Sequence, residues 1–166
     1  MNCLFRILIA TAIIHSTLAV AAQQPLNLDF ERISPEGPAR PWGWQYFFRA
    51  PHAKAVMDST VAHSGKYSYR ISGEAQQEPV SPHTLGYWID PWGLKGKQVE
   101  LTGWISRENL EGQARVTLET WGEEGKINAD TMNFPPTSER PADALWMPFS
   151  LNIPVDSAAY TLSLTI

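Results

Sequence analysis

The stretch Val99-Glu100-Leu101-Thr102-Gly103-Trp104-Ile105-Ser106 decides the fold class of this chain, because polar and apolar residues alternate along it. A period of two residues is typical of a β-strand with one buried face, since neighbouring side chains point to opposite sides of the sheet. The same alternation returns in Ala114-Arg115-Val116-Thr117-Leu118-Glu119-Thr120-Trp121. The break at Glu111-Gly112 predicts that these two strands form a hairpin.

Segments of similar character lie on both sides of this pair, and few windows show sustained helical periodicity. Turn-forming residues separate the segments, for example Ser34-Pro35-Glu36-Gly37-Pro38 and His63-Ser64-Gly65-Lys66. We therefore predict one all-β domain built from two antiparallel sheets. Its further strands are predicted at 27–33, within 42–49, and at 55–58, 67–72, 85–89, 146–153 and 160–166.

The alternation also assigns each residue of a predicted strand to one face of its sheet. Trp88, Trp104 and Trp121 all have the parity of the polar face, where Thr102, Arg115 and Glu119 are interleaved with them. The residues expected in the core are Val99, Leu101, Gly103, Ile105, Ala114, Val116, Leu118, Leu85, Tyr87, Ile89, Met147, Phe149, Leu151, Ile153, Tyr160, Leu162, Leu164 and Ile166. Three outward indoles are the sharpest functional feature of the sequence.

Residues 1–22 are typical of a secretory signal peptide. They contain a short basic start with Arg6, an apolar run from Ile7 to Val20, and small residues at the end. The run is shorter than the roughly 20 residues of a membrane span, so a retained anchor is the less favoured alternative. We predict cleavage just before Ala22 or Gln23, a domain at 23–166, and a secreted or periplasmic location. No membrane span is expected after cleavage.

Composition excludes several classes of function. Cys3 is the only cysteine, so 23–166 contains no thiol for a disulfide framework, thiol catalysis or a thiolate metal site. Without Arg6, the 13 basic residues become 12 against 17 acidic ones, which gives a net charge of −5. No nucleic-acid partner is expected, because such a partner requires a basic patch. Seven tryptophans are the unusual part of the composition.

Several segments together resemble a known family. They are Asn27-Leu28-Asp29-Phe30-Glu31, Pro41-Trp42-Gly43-Trp44, the run DSTVAHSGKYS at 58–68, LKGKQVELTGW at 94–104 and WMPFSLNIP at 146–154. The chain resembles the galactose-binding-like jelly rolls, which include carbohydrate-binding modules of secreted polysaccharide hydrolases. It is still more similar to the β-sandwich at the N-terminus of some secreted bacterial processing proteases and erythromycin-esterase-like proteins. The resemblance covers nearly all of 23–166.

The resemblance implies a jelly-roll β-sandwich with one further strand, of the form Gly-x-Val-Trp-x-Asp-Asp, which pairs back beside the first strand. This chain has no such segment after Ile166. We expect either that the last strand is missing through truncation or that one sheet has an unpaired edge. Truncation is favoured, because an exposed edge strand promotes aggregation.

The resemblance also implies a structural Ca²⁺ as a candidate cofactor. Calcium prefers six to eight oxygen ligands, from carboxylates and backbone carbonyls. The matching positions are Glu31, Asp29 and the carbonyls near Ser64 and Lys66. In the alternative, Glu31 is solvated or pairs with Arg32 or Lys66. No other cofactor is expected.

The outward aromatic set predicts a carbohydrate site. Indole rings stack on pyranose faces, and nearby polar side chains hydrogen-bond the sugar hydroxyls. One alternative is that loops cover this face, so that the indoles serve packing. Another is that the domain docks beside a downstream catalytic domain. The residues predicted to bind polysaccharide or glycan are Trp88, Trp104, Trp121, Arg115, Glu119 and Trp92.

The remaining tryptophans receive different expectations. Trp44 and Trp146 are predicted to plug the core, because each begins or precedes a strand at a position that is structural in the resembling domains. Trp42 flanks a proline in a loop, as Trp92 does, and the sequence leaves open whether these two line a site or cap the core.

Signals of catalysis are poor. The sequence has no Gly-x-Ser-x-Gly elbow, no His-Glu-x-x-His motif and no phosphate loop. His52, His63 and His83 lie in predicted loops without metal-ligand spacing. Glu100 and Glu119 form a glycosidase pair only in the weak sense that any sheet brings surface carboxylates near one another. We predict a binding domain that is not an enzyme.

Overall fold

The computed structural model describes residues 2–8, 26–48, 53–74, 83–110, 112–136 and 146–166. Within these residues the chain is all-β, with twelve strands and one short 3₁₀ helix at Trp92–Leu94. The strands are β1 (Asn2–Leu8), β2 (Ile33–Ser34), β3 (Gly37–Pro41), β4 (Gln45–Phe48), β5 (Ala53–Asp58), β6 (Ser68–Glu74), β7 (Thr84–Ile89), β8 (Gln98–Glu108), β9 (Ala114–Gly122), β10 (Gly125–Phe134), β11 (Met147–Pro154) and β12 (Thr161–Thr165).

Ten of these strands form two five-stranded antiparallel sheets. The first sheet has the order β11-β8-β1-β6-β5, and the second has the order β10-β9-β12-β7-β4. Strands β2 and β3 form a separate small ribbon. Strand β1, which falls in the predicted signal peptide, occupies the centre of the first sheet, between β6 and β8.

The two sheets pack their apolar faces against each other. Leu101, Ile105 and Leu151 of the first sheet are fully buried, as are Leu118 and Leu162 of the second. At one edge, Phe134 of β10 meets Phe149 of β11 with ring centroids 6.1 Å apart. Because one apolar core joins both inner faces, the protein is a β-sandwich. The jelly-roll connectivity and the missing last strand stay predictions.

The parity of the long strands is confirmed. Strand β11 alternates without exception between buried and exposed residues along its length. The predicted core residues of β7, β8 and β9 are buried as expected. The exception is Tyr160, which precedes β12 and is 60% exposed. Its prediction as a core residue is wrong, because Tyr160 lies before the first residue of β12, Thr161.

The prediction of a strand at 27–33 is wrong. Residues Leu28 and Asp29 form a turn, and pairing begins only with the two residues of β2. The reason is the buried side chain of Asn27. Its amide donates to the carbonyl oxygens of Arg32 (2.8 Å) and Trp42 (2.9 Å), and its side-chain oxygen accepts the Arg32 N–H at 2.8 Å. These bonds fold the segment back on itself, so it cannot extend.

The predicted hairpin of β8 and β9 is also wrong, because the two strands belong to different sheets. The connection after β8 crosses the sandwich and contains Asn109 in a left-handed conformation (φ 52°). Strand β9 instead forms a hairpin with β10, through the turn at Glu123 and Glu124. Strand β10 has no counterpart among the predicted strands.

The polar inner side of β10 explains why no strand is predicted there. Asp130 and Asn128 are paired in register with Leu118 and Thr120, whose positions lie on the core side of β9. Instead of packing in the core, the Asp130 carboxylate accepts the N–H of Asn152 at 2.8 Å on the neighbouring edge strand β11. The edge N–H is thereby satisfied, which protects an edge that other chains could otherwise pair with. No helix of the described residues is long and apolar enough to cross a membrane.

Candidate functional site

The outer face of the second sheet consists of parallel rows of side chains, because residues paired in register point to the same side. One row runs across all five strands with Gln45, Gly86, Thr165, Thr117 and Thr131. Its members are small apart from the glutamine, and the hydroxyls of Thr131 and Thr117 lie 3.2 Å apart. The row forms a shallow, hydroxyl-lined strip in which Thr131 is exposed, Thr165 is half-buried and Thr117 is buried.

Aromatic residues border one side of this strip. The next row contains Trp88, Ser163 and Glu119, and the row beyond it contains Thr161 and Trp121. Trp88 is 43% exposed, and Trp121 is half-buried. The two indoles lie two strands and two residues apart, which corresponds to about 12 Å between their Cα atoms. We call this surface, with Trp88, Trp121, Glu119, Ser163, Thr117, Thr165 and Arg115, the tryptophan face.

Trp121 is held in place by hydrogen bonds. Its indole N–H lies 3.2 Å from a carboxylate oxygen of Glu119 and 3.3 Å from the Ser163 hydroxyl. The other carboxylate oxygen of Glu119 pairs with the Lys126 ammonium at 3.0 Å. That ammonium lies 5.8 Å from the Trp121 ring centroid. The ring is therefore pre-oriented, which reduces the entropy lost when a ligand binds to it.

Arg115 borders the strip on its other side. It is exposed, and its Nε donates to the Asn133 side-chain oxygen at 3.0 Å. Arg115 and Trp121 are six residues apart on β9, or about 20 Å along the strand. The tryptophan face is thus long and nearly flat, with aromatic rings at one end and hydrogen-bonding side chains at the other.

Trp104 lies on the opposite side of the molecule, because its strand β8 belongs to the first sheet. Its ring stacks on His63 with centroids 4.1 Å apart and planes 15° apart. His63 also meets Trp146 edge to face at 5.8 Å. The loop at 59–66 thus covers this part of the outer face. The structure does not bring Trp104 together with Trp88 and Trp121.

The other tryptophans occupy separate places. Trp44 is buried, as predicted, and donates its N–H to the Asn27 carbonyl at 2.8 Å. Trp146 is only half-buried, at the edge of the first sheet. Trp92 is 80% exposed on the 3₁₀ helix, with the Lys95 ammonium 5.9 Å from its ring. Trp42 is 40% exposed, and the Arg32 guanidinium lies 4.4 Å from its ring.

Glu31 contacts the turn that contains Ser64 and Lys66 through backbone N–H groups. One carboxylate oxygen accepts the N–H groups of Lys66 (2.7 Å) and Tyr67 (3.1 Å). A Cβ at Gly65 would lie 2.4 Å from this oxygen, and the φ angle of Gly65 is +66°. Glycine is therefore required here twice, for backbone conformation and for space. The contact joins the turn to the segment before β2.

These contacts bear on the predicted calcium site. The turn presents N–H donors to Glu31, and a cation requires oxygen ligands in that position. Asp29 accepts the Glu31 N–H at 3.2 Å. Among the described residues there is no group of three or more His, Cys, Asp or Glu side chains that could hold a metal. As arranged, Glu31 fits the role of a turn cap better than that of a calcium ligand, and calcium binding stays an untested prediction.

Three features of the site have no counterpart in the sequence predictions. The hydroxyl-lined strip depends on the register of five strands, which local alternation does not give. The stack of His63 on Trp104 joins residues 41 positions apart. The Asn27 hydrogen bonds had a signal, since an asparagine before a polar turn often folds back onto the backbone.

The fold and the tryptophan face together define a class, that of all-β sandwich proteins with one open aromatic sheet face. Comparisons with protein-family models, with curated proteins and with solved structures give no match to this chain. The class therefore stands on the geometry of the described residues.

Proposed function

We propose that the tryptophan face binds carbohydrate and that the protein works outside the cytoplasm as a binding domain without catalytic activity. The observation that carries this proposal is an exposed indole, Trp88, beside a second indole, Trp121, that is fixed by hydrogen bonds. An exposed, rigid ring offers a flat apolar surface of the kind that stacks on a sugar ring.

The hydroxyl-lined strip supports a sugar rather than an apolar ligand. Thr165 and Thr131 lie in the row beside Trp88, are at least partly exposed, and carry groups that both donate and accept hydrogen bonds. Arg115 and Asn133 supply further polar groups at one end. A flat, polar surface with a few aromatic rings fits an extended glycan chain better than a compact apolar molecule, which needs an enclosed pocket.

Affinity electrophoresis on gels that contain xylan, glucan or pectin tests the proposal. We expect at least one polysaccharide to retard the protein. Trp88→Ala and Trp121→Ala should each weaken binding about fivefold or more, because a stacked ring contributes on the order of 1 kcal/mol or more. Trp42→Ala is the matched control, since its indole is equally exposed but lies outside the tryptophan face.

Equal mobility of all variants on every polysaccharide would contradict carbohydrate binding. A docking role would then be favoured, and one observation supports it as the second candidate. Trp92 is 80% exposed beside Lys95, and exposed indoles are enriched where proteins bind one another. Such a role requires a partner, for which a downstream catalytic domain is the candidate. Trp92→Ala should weaken that association and leave glycan binding unchanged.

A further inference from the structure

Tyr160 lies at the end of the tryptophan face and is not one of the residues that define it. It directly precedes β12, and its backbone N–H donates to the Trp121 carbonyl at 2.9 Å on the neighbouring strand β9. Tyr160 is 60% exposed, whereas Trp121 is half-buried. A second and more exposed aromatic residue therefore lies beside Trp121, on the adjacent strand.

An irregularity at the start of β12 accounts for the exposure of Tyr160. Regular alternation would give Tyr160 the parity of Leu162, which is fully buried. Thr161 is paired in register with Trp121, and the Tyr160 N–H bonds to the carbonyl of the same tryptophan. Two residues thus stand opposite one, which is the arrangement of a β-bulge. Bulges change the direction of a side chain and are over-represented beside active sites.

The turn before Tyr160 is fixed to the sandwich. The Asp156 carboxylate accepts the Ala158 N–H at 2.7 Å, and the Asp156 carbonyl accepts the N–H of the buried Ala159 at 3.1 Å. A Cβ at Gly122 would lie 3.3 Å from the Ala158 carbonyl oxygen, so the turn packs closely against the end of β9. Tyr160 is therefore pre-oriented, which lowers the entropy lost when a ligand binds to it.

The spacing of the aromatic residues follows from the register. Tyr160 and Trp121 lie on adjacent strands, about 5–6 Å apart at Cα. Trp88 is paired with Ser163, which is three residues from Tyr160 on β12, so the Cα atoms of Trp88 and Tyr160 are about 11 Å apart. The face thus has a close aromatic pair at one end and Trp88 further along. The close pair can contact one sugar unit together, and Trp88 is far enough away to stack on another.

We infer that Tyr160 is a binding residue of the tryptophan face, and that Tyr160 and Trp121 contact one sugar unit while Trp88 stacks on a second unit of the same glycan. We call Tyr160 and Trp121 the two-ring subsite. Thr161, which is half-buried and paired with Trp121, supplies a hydroxyl beside it. The inference rests on the proposed carbohydrate function and narrows the ligand class to a chain of sugar units, as opposed to a monosaccharide.

Single variants test the role of Tyr160 by affinity electrophoresis, on whichever of the xylan, glucan and pectin gels retards the wild type most. Tyr160→Ala should weaken binding about fivefold or more, because it removes one ring of the two-ring subsite. Tyr160→Phe keeps the ring and should retain more affinity than Tyr160→Ala. Trp92→Ala is the matched control, since Trp92 is also an exposed aromatic residue and should leave retardation unchanged.

Double variants test whether Tyr160 and Trp121 share a sugar unit. Dissociation constants are obtained from retardation at a series of polysaccharide concentrations. Tyr160→Ala with Trp121→Ala should weaken binding by less than the product of the two single effects, because the loss of either ring already loosens the shared unit. Tyr160→Ala with Trp88→Ala should give the product of the single effects, since these two residues are about 11 Å apart and contact different units.

Urea denaturation checks that each variant folds. Tyr160→Ala should unfold at nearly the same urea concentration as the wild type, because most of the side chain is exposed. Tyr160→Gln, which also lacks the ring, replaces it if the alanine variant does not fold.

The outcomes separate the inference from the proposed function. Unchanged retardation of the folded Tyr160 variants, with weaker retardation of Trp88→Ala and Trp121→Ala, would overturn the inference alone. An equal loss in Tyr160→Ala and Trp92→Ala would overturn it too, because the effect would not be specific to the two-ring subsite. Product effects in both double variants would overturn the shared sugar unit. Absence of retardation on every gel would overturn the proposed function, and the inference with it.

Discussion

The outer faces of both sheets carry tryptophans that strand alternation directs outward, but the surroundings of these tryptophans differ. On the second sheet, Trp88 is exposed, and Trp121 is half-buried against Glu119 and Ser163. On the first sheet, the loop at 59–66 folds over the face and His63 stacks on Trp104. The comparison teaches that strand parity decides which side of a sheet an indole takes, whereas a distant loop decides whether a ligand can reach it.

The buried Trp44 provides the reference for the comparison between the tryptophans of the two outer faces. Trp44→Ala removes a ring that packs against Phe30 (5.1 Å) and Tyr87 (5.3 Å), together with its bond to Asn27. We expect the free energy of unfolding to fall by about 3–5 kcal/mol, as for other large buried side chains. Urea denaturation followed by fluorescence measures it. Trp44→Phe should lose clearly less, and a loss below about 1 kcal/mol for Trp44→Ala would contradict the buried packing.

The loop at 59–66 that covers part of the first sheet is tested most directly by substitution of Glu31. Glu31→Ala removes the acceptor of the Lys66 and Tyr67 N–H groups, and we expect a loss of about 2 kcal/mol in the free energy of unfolding. Glu31→Gln keeps a neutral acceptor and should lose about half as much. The same urea titration measures both. A rise in wild-type stability on adding calcium would instead favour the metal role of this carboxylate.

The stack of His63 on Trp104 can be isolated by a double-mutant cycle. His63→Ala, Trp104→Ala and the double variant should give a coupling energy of about 1 kcal/mol, the usual range for a stacked aromatic pair. Urea denaturation of the three variants and the wild type supplies the four values. Additive effects would show that the loop does not rest on this indole, and the contrast between the two faces would then fail.

The smallest effect on stability is expected at Trp88. Trp88→Ala should lower the free energy of unfolding by about 1 kcal/mol or less, far less than Trp44→Ala, because 43% of Trp88 is exposed. It should nevertheless weaken retardation on the polysaccharide that retards the wild type, as expected in the carbohydrate test. Trp104→Ala should do the reverse, with lower stability and unchanged retardation. An equal loss of polysaccharide binding in both variants would contradict the contrast between the two outer faces.

Much of the fold could be predicted from the alternation of polar and apolar residues within single strands. Alternation placed the buried residues of β8, β9 and β11 correctly, because each of these strands has one face in the core. It missed β10, where the inner side carries Asp130 in place of an apolar residue. It also predicted a strand at 27–33, where the amide of Asn27 replaces strand pairing.

The candidate site could be predicted only in part. Parity correctly put Trp88, Trp121, Glu119 and Arg115 on outer faces. It could not show that Trp104 belongs to the other sheet, because the assignment of β8 and β9 to different sheets depends on how the chain crosses between them. Local alternation therefore predicts to which side of its sheet a residue points. Long-range packing of the strands determines which residues lie near one another.

The buried asparagine near the start of the sandwich has a consequence for proteolysis. Asn27 satisfies backbone groups of Arg32 and Trp42 and accepts the Trp44 indole through its own carbonyl. An exopeptidase that degrades the chain from an end near residue 23 would have to break this whole set at once to pass residue 27. Heterogeneous N-termini should therefore be confined to the few residues before Asn27, because these hydrogen bonds would stop further trimming.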